Sequence, residues 1–291
     1  MLRMICGIIL SGGLSRRFQV SGEPWIDKAL YKVGNEPMIR IIYNALSRVV
    51  DRIIIAVNNP ERIMSYKSII PGADYVIDDE RLRGPLAGIY SALNICNGEY
   101  AVVVPNDMPY ITPKILEPLI NELRSFDAVT YIYPNGHLEN ALVAVKRATA
   151  LQYMDLLISY GRSKIFDLVR GLPKVLFLNP LVHGVELRSL VNVNKRDDLA
   201  NMVININEQL IKNDISIIRN YTINDVIGSR LSELMGSLWY TVITNDPWPE
   251  FRLYAESGLH FLAAHVLLDS VNENVKQLGR RILTSFGVGK A

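Results

Sequence analysis

One glycine-rich segment of the sequence carries residue types suited to holding a phosphate group. It reads LSGGLSRR from Leu10 to Arg17 and directly follows an apolar run. Gly12 and Gly13 would let backbone N–H groups come close to an anion, because no Cβ intervenes. Arg17 would offer its planar set of donors to phosphate oxygens. The segment therefore indicates a phosphate cradle, and the alternative is an ordinary turn with solvated arginines.

A lysine and an aspartate further along the chain could act on the same phosphates. Lys28 precedes the apolar pair Ala29-Leu30, which would tether it, so its ammonium could serve as a point charge on a phosphoryl group. Asp107 follows an apolar run in the segment PNDMP, whose prolines stiffen the loop. One carboxylate can suffice for Mg²⁺, because this ion keeps several waters and phosphate oxygens. The alternatives are a solvated lysine and an aspartate that caps the next helix.

Two other segments are weaker signals. RGPLAG, which contains Gly84, is a tight turn into a helix N-terminus and could bind an anion or the edge of a base. Asn192 and Asn194 precede a pair of aspartates and could bind a ligand or cap the short helix that follows. Ordinary turns and helix caps look the same, so neither segment identifies a site alone.

The strands and helices that position the segments described above are predicted to form an α/β fold. Continuous apolar runs are typical of strands buried on both faces of a parallel sheet. The predicted strands cover residues 4–10, 52–57, 100–105, 128–133 and 141–145, and the predicted helices cover 36–50, 60–69, 86–96 and 113–125. Ligands bind outside the carboxyl ends of the strands in such sheets, so we expect the loops after the strands to form the site.

The pattern changes near residue 200, where we place a domain boundary. Residues 1–200 would form the α/β domain and 201–291 a small C-terminal helical module of unknown role, and a length of 291 residues agrees with about two domains. Helical patterns cover 224–241, 250–268 and 269–286, with no clear strand. We expect this module to pair two chains into a homodimer, with Trp239, Trp248 and Phe251 on the contact surface.

The composition excludes several classes of partner. Lysine and arginine number 31 against 29 aspartates and glutamates, and neither predicted domain has a large excess of either sign. A protein held on nucleic acid or on an anionic membrane needs a basic field, so we expect neither partner. No apolar run approaches the roughly 18 residues of a membrane span, and the apolar start is too short for a signal peptide. We therefore expect a cytoplasmic protein.

The two cysteines, Cys6 and Cys96, both lie in apolar surroundings. Such cysteines commonly behave as small apolar side chains of a core. We therefore expect two buried, reduced thiols rather than a bridge or a metal site.

Five of these segments, in this order, resemble motifs of the MobA-like nucleotidyltransferases, and specifically of the molybdenum cofactor guanylyltransferases. They are LSGGLSRR, DKAL, GPLAG, DMP and NVNKRDDL. The resemblance covers residues 4 to about 200. It implies a Rossmann-like, mostly parallel sheet flanked by helices, of the kind found in nucleotide-diphospho-sugar transferases.

The resemblance also implies an activity. Members of this family join GTP to the phosphate of molybdopterin, a phosphorylated pterin, and release pyrophosphate. Carried over by motif, the residues expected to bind the nucleotide are Leu10, Gly12, Gly13, Lys28, Asp79, Gly84 and Asp107. Lys28 and Arg17 would be catalytic by relieving charge on the phosphates, and Asp107 would hold Mg²⁺. Asn192 and Asn194 would lie near the acceptor.

The sequence departs from the family's pattern after Arg17. Phe18-Gln19 replaces the usual Met-Gly, and the loop from there to Asp27 is longer. This loop could disable the site, or it could form a lid with Trp25 as an anchor. The alternatives to the guanylyltransferase reaction are transfer of GMP or CMP to another phosphorylated acceptor, such as adenosylcobinamide phosphate, and a non-catalytic nucleotide-binding regulatory protein.

Overall fold

The computed structural model describes residues 4–199 and 210–286, so the predicted boundary at residue 200 lies outside the described residues. Its strands are β1 (Ile5–Ser11), β2 (Lys32–Val33), β3 (Glu36–Pro37), β4 (Arg52–Val57), β5 (Asp74–Ile77), β6 (Tyr100–Pro105), β7 (Ala128–Ile132), β8 (Leu138–Lys146), β9 (Lys174–Leu178) and β10 (Ile215–Ile218). Its α-helices are α1 (Met38–Leu46), α2 (Pro60–Lys67), α3 (Pro85–Ile95), α4 (Pro113–Asn121), α5 (Arg147–Ser159), α6 (Ile165–Gly171), α7 (Ile223–Ile227), α8 (Leu231–Leu234), α9 (Leu238–Thr244), α10 (Trp248–Glu256), α11 (His260–Leu267) and α12 (Glu273–Ser285). None of these described helices has the length and apolar character needed to cross a membrane.

Eight of the described strands form one mixed sheet in the order β10-β9-β7-β8-β6-β1-β4-β5. β1 runs parallel to both of its neighbours, and the pairs β4–β5 and β7–β9 are also parallel. The pairs β6–β8, β7–β8 and β9–β10 are antiparallel. The mostly parallel sheet flanked by helices that the sequence predicts is confirmed. Its parallel centre brings the carboxyl ends of β1, β4 and β6 to one edge.

Helices cover both faces of the sheet, because alternate side chains of each central strand point to opposite sides. Ile8 and Ile54 belong to one core, which includes α3, α5 and the C-terminal helices. Ile9 and Ile55 belong to a second core, which includes α1 and α4. This burial on both faces explains why the apolar runs of β1 and β4 are continuous rather than alternating.

The predicted strands and helices before residue 200 are confirmed with shifted ends, but six elements there were not predicted, namely β2, β3, β5, β9, α5 and α6. β2 and β3 have two residues each, and β5 and β9 are also short. Every residue of β5 is exposed or half-buried, so its apolar pattern is weak. α5 buries Ala150, Tyr153, Met154 and Leu157, which follow helical spacing. The sequence therefore contained the signal for α5. The seven residues of α6 are too few to establish a helical pattern.

The C-terminal region is not purely helical, so the prediction of a region without a strand is wrong. β10 pairs antiparallel with β9 and extends the sheet at its edge. Its four residues, ISII, are too few to establish an alternating pattern. The helices predicted at 224–241 and 250–268 are interrupted at Ser229, Gly236 and Gly258, where the backbone φ is positive.

Buried polar contacts join this region to α6. Arg170 donates from Nε and Nη2 to the two carboxylate oxygens of Glu250, at 2.7 and 2.8 Å. Trp239 is completely buried and donates its indole N–H to the carbonyl oxygen of Gly171. The prediction that Trp239 lies on a contact surface is therefore wrong, whereas Trp248 is 44% exposed.

Cys6 and Cys96 form a disulfide between β1 and the end of α3, so the prediction of two reduced thiols is wrong. β1 pairs in parallel with β6, and Cys6 lies opposite Ala101. Cys96 directly follows α3, and its Cα lies 6.1 Å from the Cα of Cys6. Both cysteines are buried, as expected. Apolar surroundings are common to free and bridged cysteines, and only the strand pairing reveals that these two meet.

Candidate active site

Three loops meet at the carboxyl ends of the central strands. The glycine loop, residues 11–15, follows β1, and Asn58 follows β4. Asn106 and Asp107 follow β6, and the backbone N–H of Asn106 donates to the carbonyl oxygen of Leu10 at 3.0 Å. The edge of the sheet that the sequence predicts as the ligand side therefore carries the predicted polar residues.

Lys28 and Asp107 form an ion pair at the centre of this edge. Lys28 Nζ lies 2.8 Å from Asp107 Oδ2 and donates a second hydrogen bond, at 3.1 Å, to the carbonyl oxygen of Val193. Lys28 begins a short 3₁₀ turn that Asp27 caps, since the Asp27 carboxylate accepts from the backbone N–H of Ala29. The turn holds the lysine stem against the loops, so three of the predicted segments contact one another.

Asp107 has a second carboxylate oxygen that suits a cation. Its Oδ1 is buried and has no hydrogen-bond partner among the described residues. A buried acceptor without a donor favours a positively charged ligand, and oxygen ligands suit Mg²⁺. No group of three or more His, Cys, Asp or Glu side chains able to hold a metal occurs in the described part of the chain. The site therefore fits an ion that takes most of its ligands from water and phosphate.

The glycine loop packs against Asp78, which the sequence did not single out. A Cβ on Gly12 would collide with the Asp78 carboxylate, and Gly88 on α3 approaches the same group. Gly13 has nothing within 4 Å of a Cβ position, which leaves the space beside the loop open. Burial raises the pKa of Asp78, and the charge of Arg62 partly offsets this. Asp78 Oδ1 has no hydrogen-bond partner in residues 4–199 and 210–286, so it can accept one from a ligand.

Buried hydrogen bonds from α2 hold the glycine loop in place. Arg62 on α2 donates to the carbonyl oxygens of Ser11 and Gly13, and its Nε lies 3.3 Å from Asp27. Tyr66, one turn further along α2, donates to Asp27 at 2.7 Å and shares a hydrogen bond with the Ser11 hydroxyl. Arg62, Asp27 and Tyr66 are all buried. Because these hydrogen bonds hold two carbonyl oxygens of the loop, its backbone is preorganised.

Three other residues predicted near the nucleotide lie in separate segments: Arg17 two residues after the glycine loop, Asp79 after β5, and Gly84 at the start of α3. Arg17 is exposed and makes no ion pair within the described ranges, so the buried arginine that contacts the glycine loop is Arg62 of α2. Two hydrogen bonds from Arg81 hold the Asp79 carboxylate and lower its pKa. Gly84 caps α3 with φ +63°, a conformation that favours glycine.

Asn192 and Asn194 flank a residue bound to the central ion pair. The backbone N–H of Val193 donates to the carbonyl oxygen of Asp107 at 2.7 Å, so this segment lies directly beside the pair. Asp198 accepts from the backbone N–H of Asn194 at 2.7 Å. The turn at the start of the following 3₁₀ helix is therefore stabilised by Asp198.

The long loop after Arg17 is fixed at its base and near its tip. The Gln19 side chain donates to the carbonyl oxygen of Ile26 and accepts from the Ile26 backbone N–H, each at 2.9 Å. Glu23 forms an ion pair with Arg196 at 2.6 Å. The loop thus connects the glycine loop to the segment that carries Asn192 and Asn194.

A cavity of about 500 Å³ lies beside the glycine loop. Its walls are Leu14, Trp25, Ile26, Asp27 and Leu30 on the loop side, and Asn58, Asn59, Glu61, Arg62 and Ser65 on the side of α2. This volume is in the range of small-molecule sites.

Sequence reasoning missed the residues that hold the glycine loop, namely Arg62, Tyr66 and Asp78. α2 was predicted as a helix, but nothing in its pattern distinguishes a buried arginine from a solvated one. Asn106, which precedes Asp107 in the segment PNDMP, donates to the Ser11 hydroxyl at 2.7 Å. A polar residue at the end of an apolar strand, as at Ser11, was a usable signal of such a network.

Known proteins resemble this chain over its first two thirds. Residues 7–174 match the MobA-like NTP transferase domain. The chain is 30% identical over 204 residues to a probable molybdenum cofactor guanylyltransferase from Natranaerobius thermophilus, a match that covers 67% of this chain and 93% of the relative. It is 31% identical over 200 residues to a protein of the same description from Pyrococcus horikoshii, with 66% and 95% covered.

The fold has a solved counterpart in the molybdopterin-guanine dinucleotide biosynthesis protein A from Archaeoglobus fulgidus. The two chains are 23% identical with a TM-score of 0.54, and the match covers 67% of this chain and 95% of the other. The family's domain spans the glycine loop, Lys28 and Asp107 and more than half of the sequence. The chain therefore belongs to the MobA-like NTP transferase family.

Proposed function

We propose that this chain transfers GMP from GTP to the phosphate of molybdopterin and releases pyrophosphate. The observation that carries the proposal is the contact between Lys28, Asp107 and Val193, which joins the lysine turn, the loop after β6 and the segment of Asn192 and Asn194. Relatives named as molybdenum cofactor guanylyltransferases support the choice of nucleotide and acceptor.

The reaction replaces one phosphoric anhydride bond by another. An oxygen of the acceptor phosphate attacks the α-phosphorus of GTP in line, and the bond from that phosphorus to the oxygen bridging to the β-phosphorus breaks. Pyrophosphate leaves with the electron pair. The attacking phosphate is already anionic near neutral pH, so no protein base is required. The barrier is repulsion between anions, which positive charge at the phosphates lowers.

Lys28 supplies a fixed positive charge to this reaction. Its side chain is only 11% exposed, so its field is screened less than that of a surface lysine. Two of its three N–H donors are directed at Asp107 and Val193, which leaves one for a phosphate oxygen. Arg17, exposed at the end of the glycine loop, adds a second cation to the departing phosphates.

Asp107 would hold Mg²⁺ through Oδ1, the oxygen without a hydrogen-bond partner in the described residues. The bound ion supplies a Lewis acid that draws charge from phosphate oxygens. The nucleotide side of the site consists of Leu10, Gly12, Gly13, Lys28, Asp79, Gly84 and Asp107. Asn192 and Asn194, beside the ion pair, bind the acceptor.

The experiment that tests the proposal is a thermal-melt series with GTP, CTP, ATP and UTP, each with and without Mg²⁺. A nucleotide at about 100 times its Kd stabilises the fold by about 2.7 kcal/mol, which corresponds to a rise of about 5–10 °C. We expect this rise with GTP, a larger rise with Mg²⁺, and its loss in Asp107→Ala. Pyrophosphate release on addition of molybdopterin then tests the acceptor.

The alternatives are outcomes of the same series. A rise with CTP alone changes the transferred group to CMP, and release of pyrophosphate with adenosylcobinamide phosphate but not with molybdopterin changes the acceptor. Nucleotide binding without pyrophosphate release from either acceptor supports the regulatory protein. No rise with any nucleotide contradicts the proposal.

The proposal includes a cytoplasmic location and a homodimer formed through the C-terminal helices. Trp248 and Met235 are 44% and 61% exposed, and both belong to this region. Sedimentation of the full chain at several concentrations gives its mass in solution. A mass of 32.8 kDa at every concentration would exclude the dimer.

A further inference from the structure

We propose that Trp25 is the residue on which the planar base of the bound nucleotide stacks, inside the cavity beside the glycine loop. The inference rests on the proposed function, because it assumes that the phosphates lie at the glycine loop and Lys28. It assigns a role to the long loop that distinguishes this chain from the family's pattern.

Trp25 is exposed although its loop is fixed. Its side chain is 57% exposed and lines the cavity. The next residue, Ile26, is held by two hydrogen bonds to Gln19, and the Arg62 guanidinium lies 6.0 Å from the centre of the indole ring. A large aromatic surface that is held in place but left open is typical of a binding site.

The position of the cavity indicates the base rather than the phosphates or the acceptor. It begins at Leu14, next to the glycine loop, and reaches Ser65 on α2. Neither Asp107 nor the segment of Asn192 and Asn194 is among the residues that form its walls. The cavity is thus adjacent to the glycine loop and separate from Asp107 and the segment of Asn192 and Asn194, so we assign it to the base of a nucleotide whose phosphates lie at the glycine loop.

The opposite wall of the cavity offers a polar group to the edge of a base. Asn58 Oδ1 is buried and has no hydrogen-bond partner within the described residues. It can accept from an N–H group of a base whose flat face rests on the indole. An aromatic face and one acceptor at the edge are the combination that binds a nucleobase in many proteins.

Direct titration of GTP measures the contribution of the indole. We expect the Kd to rise about 10-fold in Trp25→Ala, because the variant loses the stacking of the base on an aromatic ring. Trp25→Tyr, which keeps an aromatic face, should restore most of the affinity. Trp248→Ala is the matched control, because Trp248 is exposed to a similar degree but lies beside β10, five strands away from β1 in the sheet.

Tryptophan emission gives a readout that does not depend on activity. In a Trp248→Phe background only Trp25 and Trp239 emit, and Trp239 is completely buried. Addition of GTP should quench this emission, and the quenching should disappear when Trp25 is also replaced by phenylalanine.

The outcomes separate this inference from the proposed function. If GTP raises the melting temperature in an Asp107-dependent manner but Trp25→Ala binds it as tightly as the wild type, the stacking role is wrong and the proposed function stands. Quenching by the pterin acceptor alone, with none from GTP, also overturns the assignment. If GTP does not bind to the wild type at all, both proposals fail.

Discussion

The Lys28 ammonium lies 2.8 Å from the Asp107 carboxylate, although the two residues are 79 positions apart in the sequence. The same ammonium contacts the carbonyl oxygen of Val193, which is 165 positions away. A single side chain therefore contacts both the loop after β6 and the segment of Asn192 and Asn194. A change of its charge should therefore affect the binding of both proposed substrates, the nucleotide and the acceptor.

Removal of this charge should slow turnover without unfolding the protein. Lys28→Met keeps the apolar stem and removes the ammonium, and we expect kcat to fall about 100- to 1000-fold, as for loss of one charge-stabilising donor. Asp107→Asn keeps an acceptor for Lys28 but replaces the carboxylate that would hold Mg²⁺. Its rate of pyrophosphate release should therefore be low and should rise little when Mg²⁺ is added. Initial rates of pyrophosphate release over a range of Mg²⁺ concentrations measure both effects.

Melting temperatures of the two variants without ligand provide the control for folding. The side chains of Lys28 and Asp107 are only 11% and 18% exposed, so the loss of their pairing should lower the melting temperature, and turnover is compared at a temperature where both variants are folded. Turnover at the wild-type rate in both variants would remove the pair from the reaction.

Arg62 should be more important for stability than Lys28, because it is buried against Asp27. Arg62→Ala leaves the Asp27 carboxylate without its charge partner, a change that costs about 3–5 kcal/mol in buried pairs. Tyr66→Phe removes a single hydroxyl from the same network and should cost about 1 kcal/mol. Urea unfolding of both variants tests this order. An Arg62→Ala protein as stable as Tyr66→Phe would show that the ion pair is not important.

The strands that are buried on both faces could be predicted from the sequence, because burial there admits only apolar residues. β1, β4 and β6 are enclosed on both faces, so residues such as Ile8 and Ile9 must all be apolar, and a continuous run results. β10 has four residues at an edge of the sheet, and its outer face tolerates an exposed Ile218. Such a strand has no pattern of its own, because its pairing with β9 decides its conformation.

The site was predictable only where a residue type is tied to chemistry. Lys28 and Asp107 stand in short motifs that predict a role on phosphates and metal, and the structure brings the two side chains together. Arg62 and Asp78 reach the glycine loop only because α2 and the turn after β5 pack against it. Those contacts depend on tertiary packing, which local patterns in the sequence do not encode.

The disulfide between Cys6 and Cys96 should be detectable chemically and in stability. The bridge closes a separation of 90 residues, and disulfides that close loops typically stabilise by about 2–4 kcal/mol. We expect no alkylation of the protein by iodoacetamide in denaturant, and a lower melting temperature for Cys6→Ala/Cys96→Ala. Two alkylated cysteines in protein that was never exposed to reductant would contradict the bridge.

Acid should destabilise the fold through His265. Its pKa is lowered from 6.5 to about 4, first by burial against Phe166 and Phe261 and then by the charges of Arg170 and Lys164. Between pH 6.5 and about 4 the unfolded chain therefore binds one more proton at this residue than the folded chain does. Stability is complete above this window and falls by up to about 1.4 kcal/mol per pH unit within it.

Urea midpoints measured from pH 7 to pH 4.5 test this dependence. His137, whose pKa burial also lowers, adds to the slope, so His265→Phe should reduce the slope rather than abolish it. An unchanged slope in His265→Phe would assign the acid sensitivity to other groups.

The charged contacts between α6 and the C-terminal helices should make that region necessary for the stability of the described α/β core. Arg170 is 1% exposed and Glu250 is completely buried, and Asp269 accepts a further hydrogen bond from the same guanidinium at 2.6 Å. Glu250→Gln leaves Arg170 with less negative charge in a buried place and should cost about 3–5 kcal/mol. The double variant Arg170→Met/Glu250→Gln also takes the cation away from the buried carboxylates of Asp167 and Asp269, so it should be less stable than Glu250→Gln alone. Urea unfolding of the three proteins measures both differences, and a single variant as stable as the wild type would show that the buried pair does not fasten the C-terminal helices to the sheet.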